Sequence, residues 1–89
     1  MQIALRQVEE DGATVVHVSG SLEAAGTALL RDLLAQADSR VVDLSEVVST
    51  SAEGLAALRE MAAQGVRLRN ASQFLTLRLA ALGMNERRS

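Results

Sequence analysis

Eighty-nine residues make one small domain with one compact core, since folding at this size buries only about 60–65% of the surface the unfolded chain exposes. Apolar residues form 48% of the chain but Phe74 is its single aromatic, so the core must be built from Leu, Val and Ala. Nine arginines against eleven acidic residues give a net charge of −2, which offers no phosphate-tracking surface for nucleic acid and turns attention to a protein or small-molecule partner.

There is no cysteine, so disulfides and thiolate metal sites are excluded, in keeping with a cytoplasmic location. The opening MQIALRQVEED has neither a basic n-region nor an apolar h-region, so no cleaved signal peptide is expected. No apolar run approaches the roughly 20 residues that span a bilayer, and membrane insertion is not expected.

In chain order, Ile3 and Leu5 alternate with Ala4 and Arg6. Asp11-Gly12 then supplies a hairpin turn, and Val16 and Val18 resume the alternation. Gly20 and Ser21 close this second strand. Leu22, Leu29, Leu30, Leu33 and Ala37 follow at helical spacing, which predicts a first helix over residues 25–37, with Gly26 as its weak point. Val41, Val42 and Leu44 read as a short strand buried on both faces, with Asp43 as the oddity inside it. A hydroxyl-rich turn leads to a second helix over residues 51–64, whose Leu55, Leu58, Met61 and Ala62 share one face and whose natural stop is Gly65.

Val66 and Leu68 alternate with Arg67 and Arg69 as a last strand. A third helix carries Phe74, Leu75, Leu79 and Leu82 and is closed by Gly83. The expected fold is α/β (α+β): a small mixed four-stranded sheet in the order β-β-α-β-α-β-α. Right-handed crossovers place the helices mainly on one face and leave the other partly open. Residues 1–84 form the single domain, and 85–89 read as a frayed tail.

The strand-to-helix passage VVDLSEVVSTSAEGLAAL at residues 41–58 is the most informative stretch. Backbone N–H groups in the first helical turn lack intrahelical partners, so hydroxyls and carboxylates collect there. Thr50 and Glu53 fit a capping box, with the Thr50 hydroxyl on the Glu53 amide and the Glu53 carboxylate reaching back.

This order, with DLSEVVSTSAEGLAAL at its centre, resembles the STAS domain family, which includes bacterial anti-sigma-factor antagonists and the C-terminal domains of sulfate transporters. In that family a strand ending D-L-S leads, eight residues after its aspartate, to D-S-S-G-L or D-S-T-G-L, whose first serine is the phosphoacceptor. Counted from Asp43, this chain offers Ser51, Ala52, Glu53, Gly54 and Leu55 there. Gly20, Gly65-Val66 and the terminal LAALGM add to the resemblance. Ser51 stands at the aspartate position and Ala52 at the phosphoacceptor position, and alanine has no oxygen to take a phosphoryl group.

The resemblance implies a non-catalytic module that binds a protein partner through Ser49, Thr50, Ser51, Ala52, Glu53, Gly54 and Leu55. That partner would be an anti-sigma factor with a kinase-like fold, or the ATPase subunit of a phospholipid-trafficking ABC transporter. A third reading has the helix N-terminus bind an anion, nucleotide or lipid headgroup, with Arg67 or Arg69 assisting. Glu53 stands beside the family's switch position, as a fixed charge or simply as a first-turn carboxylate.

Catalysis has little support. His17, the single histidine, lies between Val16 and Val18 and reads as a surface or edge residue, and one histidine without cysteine does not build the common zinc sites. Ser51, His17 and Asp43 lack a G-x-S-x-G elbow. No G-x-G-x-x-G or phosphate-loop lysine is present, so no cofactor is expected. Glu9, Glu10 and Asp11 at the hairpin read as solvated charge.

Overall fold

The computed structural model describes the backbone of residues 3–87 and side chains through Ala81. Its elements are β1 (Ala4–Glu10), β2 (Ala13–Leu22), α1 (Ala24–Ala37), β3 (Val41–Thr50), α2 (Ala52–Ala63), β4 (Arg67–Arg69) and α3 (Gln73–Arg87). The strands lie in the order β1-β2-β3-β4, with β1 antiparallel to β2 and the β2–β3 and β3–β4 pairs parallel. This is the mixed four-stranded sheet expected from the sequence.

The hairpin is made by Asp11 and Gly12, both at positive φ (51° and 80°), the backbone that a two-residue turn with the right twist demands. All three helices contribute to one core with the sheet. Val16 and Val18 of β2, Val42 and Leu44 of β3, Leu30 and Leu34 of α1, Leu55, Leu58 and Met61 of α2, and Leu75 of α3 belong to a single buried cluster. The opposite sheet face carries no helix in that cluster. Gly54 and Ala57 complete the inward face of α2, whereas Ala62, expected there, is exposed.

Gly65, at φ 99°, stops α2 as expected: its N–H bonds Ala62 O at 3.1 Å and the Val66 N–H bonds Met61 O at 3.0 Å, the paired bonds of a Schellman end. Three boundaries differ from expectation. β2 runs one residue past Ser21, where it was expected to close, and ends on the fully buried Leu22. β3 does not stop near Leu44 but continues through Thr50, held by pairing to β2 as far as Leu22↔Thr50. The helix α3 runs past Gly83 into the segment read as tail, because one interior glycine costs a helix only about 1 kcal/mol. The rest of that tail, and the side chain of Leu82, lie outside the described residues.

Candidate functional site

Because β3 reaches Thr50, the passage into α2 has no free turn. Ser51 is the one residue between strand and helix, and Ser51, not Thr50, is the N-cap. Its extended backbone (φ −78°, ψ 170°) lets Oγ accept from the Gly54 N–H at 3.0 Å, while its carbonyl accepts from the Leu55 N–H at 3.0 Å. The capping box is thereby displaced, since the residue three beyond the true cap is Gly54 and has no side chain to reach back.

Thr50 is used otherwise. Its Oγ1 donates to the Leu22 carbonyl at 3.0 Å, the same oxygen that accepts from the Ser51 N–H at 3.0 Å. Gly54 packs against this junction so closely that a Cβ on it would stand 2.5 Å from the Leu22 oxygen and would also collide with Thr50 Oγ1. Only glycine fits there. Ser49 Oγ pairs with Ser21 Oγ at 2.7 Å on the exposed side.

The expected site thus divides in two. Ser49, Ala52 and Glu53 are exposed, with Thr50 and Ser51 half-buried behind them. Gly54 and Leu55 are buried, so Leu55 belongs to the core and offers no contact surface itself. A small cleft adjoins the corner, lined by Val47, Val48, Ser49, Thr50, Phe74 and Leu75, and brings the start of α3 beside it. No spacing in the sequence joins Val48 to Phe74.

A second polar constellation, absent from the sequence reading, lies on the open sheet face. Pairing registers Arg6 with His17, His17 with Asp43 and Asp43 with Arg69, so one row crosses all four strands. Asp43, 2% exposed, receives the Ser45 N–H (2.9 Å) on Oδ1, and Arg69 Nε (3.0 Å) and Asn70 Nδ2 (2.8 Å) on Oδ2. Burial pushes this carboxyl up, but the hydrogen bonds from Ser45, Asn70 and Arg69 prevail and hold it well below the usual carboxylate range.

Arg69 also forks onto Glu10, with Nη2 at 2.8 Å from Oε1 and 2.9 Å from Oε2. Bonds from Arg69, then from His17, lower the Glu10 pKa, and the Arg69 pKa is raised by Glu10 and Asp43 in return. His17 Nε2 sits 3.2 Å from Glu10 Oε2 and Nδ1 3.8 Å from Asp43 Oδ1. His17 is therefore a half-buried member of an inner strand, not a surface or edge residue, and Glu10 is paired rather than merely solvated. Asn70 reaches Asp43 from a left-handed backbone (φ 59°), a conformation asparagine tolerates better than most residues.

The row bears on the anion reading. Arg69 is committed to two carboxylates, and the register puts it level with Asp43, seven residues and roughly 20 Å of strand from Thr50. Arg67 lies farther still, opposite Val41. Neither arginine stands at the α2 N-terminus, where the Gly54 amide is already taken by Ser51.

No protein-family model and no curated protein matches the chain. Among solved structures it is similar to an uncharacterised protein of the DUF3478 family with a SpoIIAA-like fold from Shewanella loihica PV-4, with a TM-score of 0.54 and 15% identity. The match covers 70% of this chain and 56% of that one, so this chain spans little more than half the length of that protein. At that identity the likeness is one of backbone. Sheet order, connectivity and helix placement together give this chain the SpoIIAA-like fold, the fold of STAS domains.

Proposed function

We propose that the chain is a non-catalytic interaction module that docks on a bacterial regulatory protein through the exposed part of residues 49–58, in the manner of an anti-sigma-factor antagonist. The observation that carries this reading is the built corner: Ser49, Ala52 and Glu53 face outward from a helix entry locked to β2 by Thr50 and Ser51. A rigid, exposed helix start presents polar contacts at low ordering cost.

Ala52 is exposed where the resemblance puts the phosphoacceptor, and its methyl group cannot be phosphorylated. Docking at this surface is then not switched by phosphate on that residue. Glu53 in the first turn supplies a constant negative charge in the favourable field of the helix N-terminus.

Affinity capture from bacterial lysate, comparing the chain with Glu53→Arg, tests the surface. Loss of a specific protein from the variant eluate is expected, and equal recovery by both would remove this face from consideration. Genes for sigma-factor regulators beside the coding sequence favour an anti-sigma partner. Transporter genes there favour an ATPase subunit instead.

A further inference from the structure

The strand β4 and the helix α3 that follows it are tied to the rest of the domain on both faces of the sheet. Side chains alternate along β4, so that Leu68 packs half-buried against the core while Arg69 lies on the open face. There its guanidinium reaches across β3 and β2, with Nε on Asp43 Oδ2 at 3.0 Å and Nη2 on both oxygens of Glu10 at 2.8 and 2.9 Å. One side chain thereby joins the two edge strands, β1 and β4. Asn70 adds a bond from Nδ2 to the same Asp43 oxygen at 2.8 Å.

The same two residues lead directly into α3. Asn70 turns the chain through its left-handed backbone (φ 59°), and Ser72 caps the helix, its Oγ accepting from the Leu75 N–H at 3.2 Å and its carbonyl from the Thr76 N–H at 2.9 Å. Leu75, 2% exposed, is then seated in the core on the other side of the sheet, six residues after Arg69. Ser72, Phe74 and Leu75 line the cleft together with the end of β3. Backbone pairing holds β4 only from Arg67 to Arg69, whereas β1 pairs with β2 from Ala4 to Glu10. With so short a ladder, this edge depends on the side-chain cluster of the open face.

We propose that the cluster of Glu10, Arg69, Asp43 and Asn70 is a latch on α3. Closed, it fixes the connection at 70–72 and keeps Phe74 and Leu75 beside the end of β3. Released, β4 and α3 separate as one unit from a remainder of sheet and α1 that stays folded, and the cleft beside the corner opens. The two faces of the sheet are coupled in this way, because a loss at Glu10 on the open face is felt at a helix packed on the other. This goes beyond the docking reading, does not rest on it and is tested without a partner.

Native-state hydrogen exchange of the full chain, followed residue by residue by NMR, tests the latch. Glu10→Ala removes the fork from 59 residues away in the chain, at the opposite edge of the sheet. It should speed exchange of the α3 amides from Thr76 to Ala81 at least about tenfold, the scale of one charge-assisted hydrogen bond. Amides of β2 and α1 should change much less. Asn70→Asp, which turns a donor to Asp43 into a second carboxylate, should act in the same direction, and Glu10→Ala decides the matter if that chain does not fold. Thr14→Val breaks the bond from Thr14 to Glu9 in the same hairpin without touching the cluster, and should leave α3 unchanged. The proposal is overturned if the α3 amides of Glu10→Ala accelerate no more than those of β2 and α1, or if Thr14→Val accelerates them as much. Unprotected α3 amides in the parent chain overturn it too.

Discussion

The two polar regions of this domain sit on the same strand, β3, yet they are built in opposite ways. At its end, Thr50 and Ser51 spend neutral hydroxyls on backbone groups of β2 and α2, leaving Ser49, Ala52 and Glu53 outward. In its first half, Asp43 is a buried charge satisfied by three donors drawn from β3, β4 and the residue beyond β4. The first region presents a surface, while the second joins strands. The contrast teaches that the charges of the Asp43 row are architecture, and that the corner proposed as a docking surface is built from neutral hydroxyls instead.

Breaking the second region should have the larger effect. Asp43→Ala removes the acceptor of Arg69, Asn70 and the Ser45 amide, and should cost about 3 kcal/mol or more, measured by chemical denaturation. The same carboxylate sets an acid response. Its folded pKa is depressed, so its contribution is complete above its ordinary value of 3.8 and disappears as pH falls below that toward the folded value. Stability should drop with acid in that window, and the drop should be shallower in Asp43→Asn. Parallel curves for the two chains would sink the assignment.

In the first region the sharpest disruption is Gly54→Ala. The added methyl meets a backbone carbonyl that cannot swing aside, and a loss of about 2 kcal/mol is expected, read as a fall in Tm of roughly 8–16 °C for a domain of this size. A Tm within a degree or two of the parent means that the helix entry does not approach β2 so closely. Smaller effects separate the two hydroxyls. Ser51→Ala should cost about 1 kcal/mol through the lost cap, and Thr50→Ala about half of that, since the Leu22 carbonyl keeps the Ser51 amide. The reverse ranking restores Thr50 as the cap.

The order of elements was legible because alternation, helical spacing and Asp11-Gly12 and Gly65 all pointed the same way. The cap was misplaced by one residue because Thr50 and Ser51 both carry the hydroxyl a cap needs. What decides between them is that β3 runs on to pair with Leu22, which no local pattern announces. The Asp43 row was hidden for the same reason. Its members are 6, 17, 43 and 69 in the chain, which only sheet register aligns, and Glu10 and Asn70 join it through side-chain hydrogen bonds from outside the row. One signal was present: a lone aspartate in an apolar strand requires partners, and Arg69 on an alternating strand was the available cation.

The Leu22 carbonyl has a kinetic consequence. The Ser51 cap closes over three residues and can form as soon as α2 does, but the Thr50 bond to Leu22 spans 28 residues and waits for β2 and β3 to meet. Contacts of such separation pay loop-closure entropy before they return anything. The corner should therefore acquire its final shape late on the folding pathway, so that substitutions at Thr50 and Gly54 accelerate unfolding more than they slow folding.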